Sequence, residues 1–231
     1  MTTAGDRPRL TVHYAQTLDG RIATRTGQSQ WISCDATLEL AHRLRADHQA
    51  VMVGVGTVCA DNPRLTVRLV PGASPLRIVV DSTLRLPPDA HVLTDGAART
   101  LVVTTDRAKE ERIQAVRGNG AEVLLVGQDD MGRVDLPDLL SHLVALGIRS
   151  ILLEGGSALI TSALQHQVVD RLVVCIAPKL IGSGIEAVGN LDILHVNDAL
   201  HFAESSFTSL GEDIIFDGHV AREEVITLQH H

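Results

Sequence analysis

The chain has 231 residues, a formal charge of −8 and 45% hydrophobic residues, which suits one globular domain and excludes a disordered chain. The net acidic charge disfavours a nucleic-acid partner, and the scarcity of Phe, Tyr and Trp disfavours a protein that stacks on single-stranded bases. The core must therefore consist of Val, Leu, Ile and Ala.

The predicted elements alternate between strand and helix through the middle of the chain. Strands are predicted at Leu10–Ala15, Ala50–Val55, Arg77–Val80, Leu101–Thr104, Glu122–Val126, Ser150–Leu153, Arg171–Ile176 and Ile214–His219. Helices are predicted from a cap at Ser33 or Asp35 to about Ala46, and over Asp106–Arg117, Leu136–Leu146 and Ser157–Gln165.

This alternation predicts a mostly parallel α/β sheet with helices on both faces. The last two strands have no long helix between them, so we expect an antiparallel edge at the C-terminal end. We expect a single domain over residues 1–231 with its core at about 10–219.

The three cysteines lie far apart and the eleven histidines show no ligand spacing, so neither a disulfide framework nor a metal site is expected. The first ten residues lack the apolar segment of a secretory signal, and no apolar run reaches membrane-spanning length. We therefore expect a cytoplasmic protein with no membrane partner. We assign no function to the terminal His230 and His231.

Common catalytic and phosphate-binding motifs are absent from the chain. The sequence contains no G-x-G-x-x-G after the first strand, no phosphate-binding G-x-x-x-x-G-K-[ST], no H-E-x-x-H and no G-x-S-x-G. Polar residues are instead concentrated where the predicted strands end. This is the edge at which a parallel sheet binds ligands. Four segments share this position: 16–20, 29–33, 56–68 and 154–157.

Each segment also has a purely structural interpretation. Asp19-Gly20 is typical of a turn, and Gly155-Gly156 is as typical of a tight strand-to-helix turn as of a phosphate site. Glu154 could cap the next helix. Trp31 alone would be expected in the core, and isolated arginines on the surface.

Taken together, the segments make the chain similar to the riboflavin-pathway pyrimidine reductases, from about Leu10 to His219. These are the reductase half of the bifunctional bacterial deaminase–reductase and the stand-alone archaeal and fungal enzymes. The matching stretches are 14–23 (YAQTLDGRIA), 29–33 (SQWIS), 44–46 (LRA), 53–58 (VGVGTV), 61–68 (DNPRLTVR), 80–82 (VDS), 153–156 (LEGG) and 177–182 (APKLIG).

The resemblance implies a dihydrofolate-reductase-like fold, NADPH as cofactor and a homodimer. It implies reduction of the ribosylamino group of a pyrimidine 5′-phosphate to ribitylamino. The cofactor contacts that it implies are Ala15, Trp31, Thr57, Asp61, Ser82, Gly155, Gly156 and Ser157. The substrate contacts that it implies are Ser29, Arg45, Leu65, Arg68 and Glu154.

The residue types suit this chemistry. Asp61 and Glu154 are the carboxylates available for catalysis, and Arg45 and Arg68 can clamp a 5′-phosphate. Ser82, and more weakly Arg85, are candidates for the NADPH 2′-phosphate. An acidic residue that bound the ribose would favour NADH, and we expect Asp81 to point away as a loop anchor.

One position departs from the family pattern. Bacterial bifunctional members usually carry Lys where this chain has His13, which puts a ribose contact at that position in doubt. There is no zinc deaminase domain, so the chain is at most a reductase. The substrate is left open between the diamino and the deaminated pyrimidine. The alternatives are a same-fold reductase of another heterocycle, such as a pterin, and a non-catalytic nucleotide-binding relative.

Overall fold

The computed structural model describes residues 7–221. The interpretations given above for the first six residues and for His230 and His231 lie outside the described residues. Eleven strands, six α-helices and one short 3-10 helix, Val196–Asp198, are present within this range. No helix in residues 7–221 is long and apolar enough to cross a membrane.

The strands are β1 Arg9–Thr17, β2 Arg21–Thr24, β3 Ala50–Gly54, β4 Leu76–Val80, β5 Thr100–Thr104, β6 Glu122–Leu125, β7 Ser150–Glu154, β8 Arg171–Ala177, β9 Gly184–Glu186, β10 Phe202–Leu210 and β11 Asp213–Val220. The helices are α1 Asp35–Asp47, α2 Val55–Asp61, α3 His91–Thr94, α4 Glu110–Gly118, α5 Leu136–Ala145 and α6 Ser157–Gln165.

Nine strands form one sheet in the order β10-β11-β8-β1-β7-β3-β4-β5-β6. The run from β8 to β6 is parallel, and β10 and β11 close the other end in antiparallel pairing. The mostly parallel sheet and its antiparallel C-terminal edge are confirmed. Because the parallel strands run the same way, the loops that follow β1, β7, β3, β4 and β5 gather at one edge.

Helices cover both faces of this sheet, as expected. One face packs on α5 and α6 through a cluster that includes Met52, Leu140 and Ile160, all 0–1% exposed. On the opposite face α2, α3 and α4 pack against the odd-numbered residues of β3, and α1 packs nearby through Leu44. The core is aliphatic, as the composition predicts.

Several local expectations are wrong. Neither Ser33 nor Asp35 caps α1: its N-cap is Cys34, which makes no side-chain capping bond. The second predicted helix begins at Glu110 rather than Asp106, and it extends to Gly118. β3 ends at Gly54, and the chain continues directly into α2 rather than into a loop.

Two features without a signal in the sequence complete the fold. The short strands β2 and β9 pair as a separate antiparallel ribbon, tied by Arg21 Nη1 to Glu186 Oε1 at 2.6 Å. Ala23 and Ile185 from this ribbon line the cleft described below. The edge strand β10 is exposed along most of its length, so it carries no alternation of apolar and polar residues.

Candidate active site

A cleft of about 770 Å³ opens at the carboxyl ends of the parallel strands. Its walls come from β1, from the starts of α2 and α6, from one side of α1 and from the loops after β4 and β5. This size and position are typical of a site for a small organic ligand or cofactor.

Most of the residues expected to form a site line this cleft. They are Ala15, Ser29, Arg45, Thr57, Asp61, Ser82, Arg85, Glu154, Gly155, Gly156 and Ser157. They come from segments separated by more than a hundred residues, which the parallel topology brings to one edge.

Arg45 and Glu154 form an ion pair inside the cleft. Arg45 Nε donates to both carboxylate oxygens of Glu154, at 2.8 and 3.1 Å, and Nη2 donates to Oε2 at 2.7 Å. The third nitrogen, Nη1, donates to the carbonyl of Thr66 at 3.2 Å. Both side chains are largely buried, at 14% and 10% exposure. Two of the three guanidinium nitrogens of Arg45 thus already hold Glu154, and fewer donors remain for a phosphate.

The capping interpretation of Glu154 is wrong. The N-cap of α6 is Gly156, and no side chain caps this helix. The Glu154 carboxylate instead turns toward α1 and Arg45. Glu154, at the carboxyl end of β7, therefore lines the cleft and does not cap α6.

His13 lies beside Glu154, because the two residues are direct partners in the parallel pairing of β1 and β7. Its ring is 6% exposed, and Nδ1 lies 3.1 Å from the carbonyl of Val173, to which it can only donate. Burial lowers the pKa of His13 and outweighs the opposing effect of Glu154. The ring is therefore neutral at pH 7, unlike the Lys that bacterial relatives carry there.

Asp61, at the end of α2, faces the cleft together with Ser29. The Ser29 hydroxyl donates to Asp61 Oδ1 at 2.7 Å. This bond joins a residue expected to contact substrate with one expected to contact cofactor. Among the described residues no hydrogen bond engages Asp61 Oδ2, so that oxygen is available to a ligand.

Gly155 and Gly156 form a cradle at the start of α6. Both have positive φ, +77° and +86°, which non-glycine residues rarely adopt. A Cβ on Gly156 would lie 3.5 Å from the amide of Gly54 and from the hydroxyl of Thr57. The first backbone N–H groups of α6 carry no side-chain cap. A close backbone approach and bare amides suit the pyrophosphate of a dinucleotide.

The segment 62–69 runs beside the cleft and carries Arg68. The Arg68 side chain is exposed, and its Nη1 donates to the Thr66 hydroxyl at 2.6 Å. Its backbone amide donates to Nδ1 of the buried His42 at 2.8 Å. Burial, with Arg45 and Arg68 nearby, lowers the pKa of His42 to about 4. A neutral His42 keeps the lone pair on Nδ1 that this bond needs.

Three of the expected contacts do not line the cleft. The Trp31 indole is 66% exposed, outside both the cleft and the core. Leu65 is 2% exposed, so only its main chain could reach a substrate. Arg68 lies on the rim of the cleft, where Arg68 and Arg45 both donate hydrogen bonds to Thr66. Contacts of these three residues with ligands stay predictions.

Asp19 and Gly20 form a turn, as the structural interpretation of this segment predicts. Asp19 Oδ2 accepts the amide of Gly182 at 2.6 Å, and Gly20 closes a turn with positive φ. The hydrogen bond from Thr17, followed by that from Gly182, lowers the pKa of Asp19 to about 2. Asp19 thus joins the loop after β1 to the chain that leads into β9.

Asp81 anchors its loop as expected, but it also lines the cleft, so the structure does not confirm that it points away. It is 1% exposed, and its Oδ2 accepts the amide of Leu86 at 2.7 Å. Sequence reasoning did not find Arg107 and Arg133, which line the far end of the cleft. Arg107 follows the end of β5, a position that the strand-end rule could have indicated. Arg133 lies in a loop before α5 and carries no such signal.

The sheet order and the position of the cleft define the class of this protein as an α/β fold like that of dihydrofolate reductase. Dihydrofolate reductase from Enterococcus faecalis superposes with a TM-score of 0.52 and 12% identity over 93% of this chain and 97% of that one, a likeness of fold alone. RibD from Acinetobacter baumannii superposes with a TM-score of 0.81 and 27% identity over 96% of this chain and 60% of that one.

The chain belongs to the RibD C-terminal domain family, whose model matches residues 8–216. It is 43% identical to the 2,5-diamino-6-ribosylamino-4(3H)-pyrimidinone 5′-phosphate reductase of Methanothermobacter thermautotrophicus, covering 91% of this chain and 97% of that protein. It is 38% identical to the riboflavin biosynthesis protein RibD of Aquifex aeolicus over 91% of this chain, but spans only 57% of that protein.

Proposed function

We propose that this protein reduces a ribosylaminopyrimidine 5′-phosphate to the ribitylamino product in riboflavin biosynthesis, with NADPH as the reductant. The observation that carries the proposal is one cleft that holds the Arg45–Glu154 pair, Asp61 and the Gly155–Gly156 cradle. The archaeal relative, matched over nearly its whole length, is named for this reaction on the diamino pyrimidine. We therefore propose the diamino compound as substrate and keep the deaminated compound as the alternative.

The residues of the cleft fit NADPH. The Gly155–Gly156 backbone and the start of α6 would hold the pyrophosphate, with Thr57 alongside. Ala15, Asp61 and Ser82 line the same cleft and are further proposed cofactor contacts. When bound, the cofactor supplies a hydride to C1′ of the ring-opened substrate.

The residues of this chain would orient the substrate and manage its protons. Opening the ribosylamine gives an imine at C1′, whose nitrogen must take up a proton, from an acid or from water, as C1′ receives the hydride. Asp61 presents an unengaged Oδ2, and Ser29 fixes the carboxylate that carries it. Glu154, held by Arg45, can accept hydrogen bonds from the hydroxyls of the open sugar chain. Arg68 on the rim would take the 5′-phosphate, with help from the remaining donors of Arg45.

The test is NADPH oxidation, followed at 340 nm, with each of the two ribosylaminopyrimidine phosphates and with a dihydropterin as a third substrate. We expect rapid oxidation with the diamino compound. Faster oxidation with the deaminated compound would change the substrate, and turnover of only the pterin would support the same-fold alternative. NADPH binding without turnover of any substrate would support the non-catalytic alternative.

We also propose that the protein is a cytoplasmic homodimer. Phe207 and Ile214 are 68% and 46% exposed on the antiparallel edge of the sheet. The pairing of β10 and β11 puts both on one face, an apolar patch that a second copy could cover. The cysteines Cys34, Cys59 and Cys175 are free thiols, which suits a reducing compartment. Sedimentation equilibrium of the wild type and of Phe207→Ser tests the dimer.

A further inference from the structure

His13 lies where strands β1 and β7 part. The two strands pair in parallel up to the pair of His13 with Glu154, and beyond it β1 continues to Thr17 with β8 as its partner. On the other side of the gap, the chain leaves β7 through the Gly155–Gly156 cradle and enters α6. The cleft therefore begins at the level of His13 and Glu154, and both residues line it.

The imidazole of His13 has one nitrogen that is bonded and one that is not. Nδ1 lies 3.1 Å from the carbonyl of Val173, so in the neutral ring Nδ1 carries the proton and Nε2 keeps a lone pair. In residues 7–221, the side-chain atoms that are sealed from solvent and lack a hydrogen bond are Asp81 Oδ1, Asp95 Oδ2 and Thr104 Oγ1. No hydrogen bond within this range engages His13 Nε2, and it is not one of the sealed atoms. This nitrogen is therefore open to the cleft.

The charges that face His13 come from the neighbouring strand and from the helix above it. Glu154 lies on β7 and Arg45 on α1, and the two are bonded to each other. Burial lowers the pKa of His13, Glu154 and the Val173 carbonyl raise it, and Arg45 lowers it. The ring is therefore neutral at rest, and the Glu154 carboxylate stabilises the imidazolium when the ring takes up a proton. A neutral imidazole beside a carboxylate has the properties of a general base.

The carboxylates of the cleft are less suited to this role. The two oxygens of Glu154 already accept three hydrogen bonds from Arg45, at 2.7 to 3.1 Å. Asp61 belongs to another wall of the cleft, at the end of α2, where it is bonded to Ser29. His13 Nε2 is thus a basic atom beside Glu154 that no donor of the described residues occupies.

The proposed reaction requires a proton to move before C1′ can accept a hydride. In the cyclic ribosylamine, C1′ is bonded to the exocyclic nitrogen and to the ring oxygen O4′, and it has no double bond to reduce. Ring opening breaks the C1′–O4′ bond, forms the C=N bond and moves one proton from the nitrogen to O4′. This is an isomerisation, so it needs neither a redox partner nor another co-reactant. Because both atoms are bonded to C1′, a single base can reach both.

Resting on the proposed function, we propose that His13 is the general base that opens the sugar ring of the substrate. Nε2 takes the proton from the exocyclic nitrogen as the C=N bond forms and the C1′–O4′ bond breaks. The imidazolium then returns this proton to O4′, which leaves His13 neutral again. Glu154, beside His13, accepts hydrogen bonds from the sugar hydroxyls and so keeps C1′ within reach of Nε2.

Ring opening can be measured directly, in the absence of NADPH. Opening and reclosure interconvert the α and β anomers of the ribosylaminopyrimidine phosphate, so exchange NMR of the H1′ signals reports the rate. We expect the wild-type protein to accelerate this exchange over buffer by at least about tenfold, and His13→Asn to abolish the acceleration. The Asn side-chain nitrogen can still donate to the Val173 carbonyl, so this variant removes Nε2 and retains the structural bond.

Turnover and two further variants complete the test. With saturating NADPH, we expect His13→Asn to lower kcat at least about tenfold, with Kd for NADPH within about twofold of wild type. His48→Gln is the matched control, because His48 is a half-buried histidine that contacts Thr11 of the same strand and does not line the cleft. Its exchange and turnover should match wild type. Imidazole added to His13→Ala should restore anomer exchange, since it can enter the vacated space from the cleft.

The failures of this proposal and of the proposed function are distinguishable. If the wild-type protein does not accelerate anomer exchange, or if His13→Asn accelerates it equally, His13 is not the base. The proposed function then stands as long as the protein oxidises NADPH with either pyrimidine phosphate. If His13→Asn and His48→Gln lose the exchange equally, and imidazole restores nothing to His13→Ala, the loss reflects damage to β1, and the proposal is wrong. If the wild-type protein reduces neither pyrimidine phosphate, the proposed function fails as well.

Discussion

Glu154 at the end of β7 and Arg45 on α1 are joined by three hydrogen bonds of 2.7 to 3.1 Å inside the cleft. The pair fixes the Glu154 carboxylate beside the Gly155–Gly156 cradle. Removing one partner of a largely buried ion pair leaves the other charge uncompensated, so the two residues must be considered together. Their effects on stability and on turnover can be separated by conservative replacement.

Glu154→Gln keeps the shape of the side chain and an oxygen acceptor for Arg45, but removes the charge. We expect kcat/KM to fall at least about tenfold, or roughly 1.4 kcal/mol, with NADPH affinity nearly unchanged. Turnover, NADPH binding and Tm should be measured on the same preparation. Glu122→Gln is the matched control, because Glu122 is exposed and pairs with Arg99 away from the cleft. Full turnover of Glu154→Gln with a lowered Tm would assign Glu154 a structural role only.

Arg68→Ala tests the proposed phosphate contact. Within residues 7–221 the Arg68 guanidinium makes one hydrogen bond, to Thr66, and it is exposed on the rim. We expect KM for the phosphorylated substrate to rise by the equivalent of about 1.5–3 kcal/mol, with KM for NADPH little changed. Arg43→Ala, an exposed arginine of α1 paired with Glu39, is the control. An unchanged KM for the substrate would mean that Arg68 is only a solvated surface charge and does not bind the phosphate.

The pH dependence of stability should reflect buried histidines. Burial lowers the pKa of His13, His42 and His48 below the value of 6.5 for an exposed histidine. As the pH falls below about 6.5, the unfolded chain takes up protons that the folded protein does not. The free energy of unfolding therefore keeps the full contribution of these histidines above pH 6.5, and it declines as the pH falls toward 4.

His42→Asn isolates one of these groups. The Asn carbonyl oxygen can still accept the amide of Arg68, so the fold should be preserved. Urea unfolding at pH 8, 7, 6 and 5 should give the variant a shallower decline below pH 6.5, by up to about 1.4 kcal/mol per pH unit for one proton. Above pH 7 the free energies of unfolding of the wild type and of His42→Asn should change with pH in the same way. Identical slopes between pH 6.5 and 5 would contradict the lowered pKa of His42.

The buried parallel strands were the most predictable part of the fold. β3 and β7 are covered on both faces, so their sequences are continuous apolar runs, and their predicted bounds differ from the structure by one residue. β10 was missed because exposure on both faces removes any alternation. The start of α1 was misplaced because Cys34 serves as N-cap through its backbone alone, which no sequence signal marks.

The site was predictable as a set of segments but not as a set of contacts. The rule that ligands bind at the carboxyl ends of parallel strands indicated the cleft. The pairing of Arg45 with Glu154, 109 residues apart, depends on where α1 crosses the sheet. The same holds for Arg133, which reaches the cleft only because the turn before α5 folds back onto Ser82.

Gly156→Ala tests whether the cradle holds the cofactor, and the chain offers a matched control. Gly156 and Gly147 have nearly equal positive φ, +86° and +83°, so an alanine at either position carries a similar backbone strain of about 1–2 kcal/mol. A Cβ on Gly147 meets nothing within 4 Å, whereas a Cβ on Gly156 lies in the cleft beside Thr57.

We expect both alanine variants to lose similar stability in thermal unfolding. Only Gly156→Ala should weaken NADPH binding, by at least about tenfold, because its methyl group occupies the space where a pyrophosphate would approach the first amides of α6. Fluorescence titration with NADPH measures this loss directly, independent of turnover. If both variants bind NADPH as tightly as wild type, the Gly155–Gly156 turn is only a tight connection between β7 and α6. If both weaken equally, the loss reflects general destabilisation, and the cradle has no specific part in binding.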